Sequence, residues 1–139
     1  MPAYVAEREG WFSESRKRYP LQVISAATHY FIGGSFQGVE RLRDMQARPT
    51  FELNAADAAG RGIGDGDFCR LYNDRGETFG YARIVEGMLE GVLGAPKQIN
   101  GSATPGGVNV NALVSQQVSD MGGSPVYYST LAEIEKEAR

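Results

Sequence analysis

Cysteine and histidine each occur once in the 139 residues, as Cys69 and His29. An internal disulfide is therefore excluded, and one Cys with one His cannot build a protein-only zinc site. Cys69 lies in the run Phe68-Cys69-Arg70-Leu71-Tyr72, which reads as a buried structural thiol rather than a nucleophile. Excess positive charge is also missing: 14 basic against 17 acidic residues leave a net charge of −3. A general nucleic-acid binder needs a basic face to displace counterions, so no nucleic-acid partner is expected. No apolar run approaches the roughly 20 residues of a membrane-crossing helix, and direct membrane insertion is not expected either. Met1-Pro2-Ala3-Tyr4 opens a polar stretch without the charged, apolar and small-residue regions of a signal peptide.

What the chain does have is glycine, 18 residues of it. Glycine is selected where the backbone turns tightly or must approach something closely, so small many-turned barrels and phosphate-binding loops both use it. Residues 1–18 read as an approach segment, with the cluster Arg16-Lys17-Arg18 solvated and with Trp11 and Phe12 packing on the domain or on a neighbour. Residues 19–139 read as one domain. Strands are expected at 21–25, 50–53, 68–72, 78–85, 91–95 and 126–134. A helix over 39–46 would put Val39, Leu42 and Met45 on one face. A shorter helix is expected after Asn54, which can cap it, with Asp57 in the favourable first turn. Asp65, Asp67, Asn73 and Arg75 read as turn residues, and the charged tail from Glu135 as frayed. Six short strands with two or three small helices describe a mainly β domain, either a closed barrel or a compact sandwich.

Two glycine-rich loops, 26–38 and 97–123, stand apart from the economical turns elsewhere. Loops that long in a compact domain carry function or are disordered.

Several segments together resemble one family. They are Tyr19-Pro20-Leu21-Gln22-Val23-Ile24, the Arg-Leu-Arg helix at 41–43 and Pro49-Thr50-Phe51-Glu52-Leu53-Asn54. Asp57-Ala58-Ala59-Gly60-Arg61-Gly62-Ile63-Gly64-Asp65-Gly66-Asp67 continues the match. So do Tyr72-Asn73-Asp74-Arg75-Gly76-Glu77, Gly91-Val92, Gly106-Gly107-Val108-Asn109-Val110-Asn111-Ala112-Leu113 and Thr130-Leu131-Ala132-Glu133-Ile134-Glu135-Lys136. In this order and spacing they resemble the C-terminal molybdopterin-dinucleotide-binding domain of the dimethyl sulfoxide reductase type of molybdenum and tungsten oxidoreductases. That resemblance implies a six-stranded double-psi β-barrel and a role in binding molybdopterin guanine dinucleotide, in its bis form. Molybdenum or tungsten would be held by the cofactor and by upstream domains. Catalysis would then lie in those upstream domains of a longer chain, and the domain alone would be inactive. The opening Pro2-Ala3-Tyr4 with Glu7 resembles the linker that precedes the domain in longer chains. The alternative is a free-standing small subunit beside a catalytic subunit. Alone the fragment is expected in the cytoplasm; the parent could be cytoplasmic or exported.

No catalytic or metal-ligating residue is expected in this chain. The cofactor-binding candidates fall in the two loops. Gly106 and Gly107 let the main chain come close to a phosphate, and Asn109 and Asn111 offer both a donor and an acceptor to a purine edge or pterin ring. Thr28 and His29 follow the first strand, where the family places its other cofactor loop. This loop departs from the family: Gly33, Gly34 and Gly38 stand where many members have His-Ser and Asn, leaving Ser35 and Gln37 as the substitute contacts. Lys97 and Gln98 precede the second loop and would meet phosphate or guanine. Asp120 would accept from guanine, or else cap the Met121-Gly122-Gly123 turn.

Overall fold

The computed structural model describes residues 3–138 except 5, 47, 98 and 99. Six strands form the frame: β1 (Leu21–Ala27), β2 (Thr50–Leu53), β3 (Phe68–Asn73), β4 (Gly76–Ile84), β5 (Val92–Lys97) and β6 (Leu131–Lys136). Two short helices punctuate it, α1 (Glu40–Gln46) between β1 and β2, and α2 (Ala55–Ala59) between β2 and β3. The strands close into a barrel in the order β1-β5-β2-β4-β3-β6. β1 runs parallel to β5 and β2 parallel to β4, while the remaining neighbours are antiparallel. This closed arrangement is the double-psi β-barrel, and the sandwich alternative falls away. Closure removes the unpaired edges that a sheet would otherwise expose.

Alternation explains which side chains fill the barrel. Leu21 and Val23, Phe51 and Leu53, Cys69 and Leu71, Leu93 and Ala95, and Ala132 and Ile134 point inward and are buried, because successive strand residues face opposite sides. Burial pushes the Cys69 thiol up to about 11, with the nearby Asp67 charge adding to the shift, so it stays a thiol at neutral pH. Gly80 faces inward between Thr78 and Ala82, and a Cβ there would lie 3.0 Å from Phe51 Cζ and 3.0 Å from the Pro49 carbonyl. Among the described residues no helix is long and apolar enough to cross a membrane.

Local chemistry sets the turns. The Asn54 side chain accepts from Ala56 N at 2.7 Å and caps α2. Asp65 Oδ1 accepts the Ile84 amide at 2.8 Å, and Asp67 Oδ2 accepts the Gly64 amide at 2.7 Å. Lys136, 2.9 Å from Asp67, and that same amide hold the Asp67 carboxyl below its ordinary value. Asn73 Oδ1 accepts the Arg75 amide at 3.0 Å inside the β3–β4 turn.

The strand expected over 126–134 instead begins at Leu131 and runs to Lys136. Val126 to Ser129 form a turn closed by Ser129 N to Val126 O at 3.1 Å, and the Thr130 hydroxyl donates to Tyr127 O at 3.1 Å. Glu135 and Lys136, expected to fray, pair with β3. Arg70 sits 2.8 Å from Glu135, and the register sets Arg70 against Glu135 and Cys69 against Lys136. Helix α1 buries no residue, and Val39 and Met45 on its expected apolar face are exposed. Residues before β1 lie on the barrel: Arg16 stacks 3.3 Å over the Trp11 ring and donates to Trp11 O and Pro20 O. Arg18 pairs with Asp74 at 2.8 Å, and Glu9 pairs with Arg75 and accepts the Leu131 amide. Phe12 stays almost fully exposed.

Candidate functional site

The parallel strands β1 and β5 end together, with Ala27 opposite Lys97. β2 runs the other way beside β5, so its first residues arrive at the same end, Glu52 opposite Gly94. Arg83 of β4 stands opposite Glu52 in turn. Inward positions of these strands hold the core, so Glu52, Arg83 and Gly94 face outward. There they form a cleft of about 220 Å3 lined also by Ala26, Thr28, His29, Gln46, Thr50 and Pro96. Arg83 lies 3.5 Å from the Glu52 carboxylate. Gln46 Oε1 is buried without a hydrogen-bond partner among the described residues. His29 packs edge-on against Tyr30 at 4.8 Å between ring centres.

The second loop is a chain of 3-10 turns, Gly101–Ala103, Pro105–Gly107 and Val110–Leu113. Gly106 and Gly107 adopt φ of +77° and +76°, a conformation that L side chains rarely take. A Cβ on Gly107 would meet nothing within 4 Å, whereas one on Gly101 would stand 2.4 Å from Gly107 O. Gly107 therefore offers bare, approachable backbone, and Gly101 permits the coil itself. The loop is tied to the β3–β4 hairpin. Thr78 Oγ1 donates to Val108 O at 2.6 Å, while Asn73 Nδ2 and Arg75 Nε donate to Leu113 O at 3.0 and 2.8 Å. Val110 and Leu113 are buried in the barrel. Asn109 Oδ1 accepts the Asn111 amide at 3.0 Å and caps the last turn, while Asn111 is exposed.

The structure brings the loops together at one point: Gln37 Oε1 accepts the Asn100 amide at 2.7 Å. Phe31, Gln37, Pro49 and Ala103 share a small hollow beside it, with Gln46 in its wall. Thr28 and His29 share the larger cleft, and Lys97 ends the strand beside it. Ser35 sits exposed in the tight turn bridged to Ile32. Asp120 Oδ1 accepts the Met121 amide at 2.8 Å, in the arm bridged by Val118 and Pro125. Gln98 lies outside the described residues. Sequence reasoning missed Gln46, Glu52 and Arg83, which belong to three different elements. Their only sequence signal is Glu52 as a polar residue between two apolar ones in β2.

These features suit a dinucleotide. Its phosphates need bare amides and its rings need neutral and charged hydrogen-bonding groups, and the open Gly107 backbone and the unpartnered Gln46 oxygen supply both kinds. Among the described residues no group of three or more His, Cys, Asp and Glu side chains is placed to hold a metal ion. Fold and loops thus define a closed double-psi barrel domain with an open glycine-rich loop. The family model described as Molydopterin dinucleotide binding domain matches residues 21–131, and the chain belongs to that family.

Relatives extend the point. Dimethyl sulfoxide reductase DmsA of Escherichia coli is 28% identical over 140 residues, covering 98% of this chain and 17% of that protein. The dimethyl sulfoxide/trimethylamine N-oxide reductase of Cereibacter sphaeroides is 35% identical over 79 residues, 55% of this chain and 10% of that protein. Among solved structures, acetylene hydratase from Pelobacter acetylenicus superposes with a TM-score of 0.85 over 99% of this chain and 21% of its own, at 18% identity. At that identity the likeness shows the shared fold. The chain spans about a sixth of the length of relatives such as DmsA.

Proposed function

We propose that this chain binds the dinucleotide portion of a molybdopterin guanine dinucleotide cofactor, as the C-terminal domain of a larger molybdenum- or tungsten-dependent oxidoreductase. The observation that carries the reading is the left-handed Gly106-Gly107 pair, in which Gly106 packs against Phe79 and Gly107 is open to an approaching ligand, inside the segment that the family model matches. Amides near Gly107 and the Asn111 side chain would contact one part of the dinucleotide, with Thr28, His29, Ser35 and Lys97 contacting another. The bound cofactor would supply the metal and its redox chemistry, and the chain's own residues bind, orient and cover it. Catalysis belongs to the remainder of the longer chain, which is also the partner of this domain, so the chain alone is expected to be inactive.

The test is a titration of the full chain with guanosine diphosphate, which carries both the nucleoside and a diphosphate, followed by backbone amide shifts. Movement concentrated in residues 26–38 and 100–113 is expected. Absence of movement in both loops would sink the assignment.

A further inference from the structure

We infer that Glu9, in the segment before β1, is a positioning residue for the second glycine-rich loop and acts through Arg75 of the β3–β4 turn. This deepens the cofactor reading above and rests on it for what the loop binds. Glu9 stands outside residues 21–131, which the family model matches.

Arg75 is the joint. Its Nη2 donates to Glu9 Oε2 at 2.8 Å, its Nη1 to Glu9 Oε1, and its Nε to Leu113 O at 2.8 Å. The two contacts to Glu9 form a fork, which fixes the plane of the guanidinium as well as its position. In that plane Nε points at the carbonyl that ends the Val110–Leu113 turn. Asn73 Nδ2 donates to the same carbonyl at 3.0 Å, so Leu113 O has two donors. Without Glu9 the long Arg75 side chain regains its rotamer freedom, and Asn73 is left to hold the carbonyl.

Glu9 is itself held in place. Its Oε2 also accepts the Leu131 amide at 3.3 Å, and Asn73 Nδ2 donates to Leu131 O at 2.9 Å. The Glu9 and Arg75 side chains are 19% and 30% exposed, so water screens this pair less than it screens a surface pair.

The segment that carries Glu9 is seated on the barrel. Ser13 N donates to Gly10 O at 3.0 Å and closes a turn right after Glu9. Trp11 and Arg16 lie over Gly91, where a Cβ would stand 2.6 Å from Arg16 Nη2 and 3.0 Å from Trp11 Cη2. Arg18 pairs with Asp74 at 2.8 Å, one residue before Arg75. Successive turn residues of opposite charge, Asp74 and Arg75, thus meet Arg18 and Glu9, a complementarity that fixes the register of the segment. The result is a continuous path from the segment before the barrel to the loop that carries Gly107 and Asn111. Lifting Glu9 releases Arg75 and loosens the end of that loop.

The test reads amide hydrogen exchange of the full chain without ligand, in the parent, Glu9→Gln, Arg75→Gln and the double variant. Ala112 and Val114, whose amides donate to Asn109 O and Asn111 O, report the loop, and Val23 and Ala82 report the barrel. Each single variant should speed loop exchange about tenfold, the effect of losing a hydrogen bond to a charged group, and leave the barrel amides unchanged. Because Glu9 acts through Arg75, the double variant should match Arg75→Gln within about twofold. The Arg75 Nε–H signal should be protected in the parent and exchange rapidly in Glu9→Gln, a readout that survives if Arg75→Gln fails to fold. Glu9→Gln should also weaken guanosine diphosphate binding about fivefold, the low end of coupling between sites. Loop exchange in Glu9→Gln equal to the parent's overturns the inference, as does equal acceleration of loop and barrel. A double variant whose loop exchanges roughly a hundredfold faster, the product of two independent losses, overturns it too. If guanosine diphosphate moves neither loop while exchange still responds to Glu9→Gln, the cofactor reading falls and the positioning role stands. If it moves both loops while exchange does not respond, the positioning role alone falls.

Discussion

Asp57 Oδ2 accepts the backbone N–H of Gly91 at 2.7 Å, a buried bond between helix α2 and the turn before β5. Asp57 also faces Arg61 at 3.4 Å, and Arg61 reaches Glu133 of β6 at 2.6 Å. One carboxylate therefore anchors a helix, a turn and, through Arg61, the last strand.

Truncating it should be costly. Asp57→Ala leaves the Gly91 amide without its acceptor and Arg61 with one partner fewer, which together should remove about 2–4 kcal/mol of stability. Asp57→Asn keeps an acceptor oxygen and should lose less than half of that. Urea unfolding at constant m-value measures both, and a loss below about 0.5 kcal/mol for the alanine variant would show that the bond does not anchor the fold.

Two glycines should respond in opposite ways. Gly80→Ala forces a methyl to within 3.0 Å of Phe51 Cζ and the Pro49 carbonyl, a crowding expected to cost about 1–3 kcal/mol. A Cβ at Gly34 meets nothing within 4 Å and its φ is not positive. Gly34→Ala should be neutral or stabilise by up to about 1 kcal/mol through the unfolded chain. Thermal unfolding of the pair would contradict this if both shifted equally.

The Cys69 thiol should resist a disulfide reagent at pH 8 in the folded chain and react fully in denaturant. Burial raises its value from 9.0 to about 11, so the folded form holds its proton more tightly than the unfolded form. Its contribution to stability is fully present below about pH 9 and is lost as pH rises towards about 11. Rapid labelling of native protein at pH 8 would contradict the burial.

Asn111→Ala should leave the unfolding midpoint within about 0.5 kcal/mol of the parent, since the side chain is exposed and surface changes of that kind are small. Under the proposed function it should weaken guanosine diphosphate binding by about fivefold or more. Unchanged binding would remove Asn111 from the contact set.

The sequence alone determined the elements whose signals are local. Strand alternation placed β2 within its bounds, Asn54 marked the start of α2, and the Asn73-Asp74-Arg75-Gly76 turn joined β3 to β4, because caps, turns and period-two patterns act between near neighbours. The paired glycines and asparagines of the second loop were visible for the same reason. Alternation could not tell the turn at Val126–Ser129 from the strand that follows it. It could not foresee that Arg70 and Asp67 would hold Glu135 and Lys136 in β6. Barrel closure is a long-range fact: it set β1 beside β5 and β2 beside β4, and only then did Gln46, Glu52, Arg83 and Gly94 meet in one cleft with Thr28 and His29. Those residues are up to 66 positions apart in the chain, and no local pattern records a contact that parallel strand pairing creates.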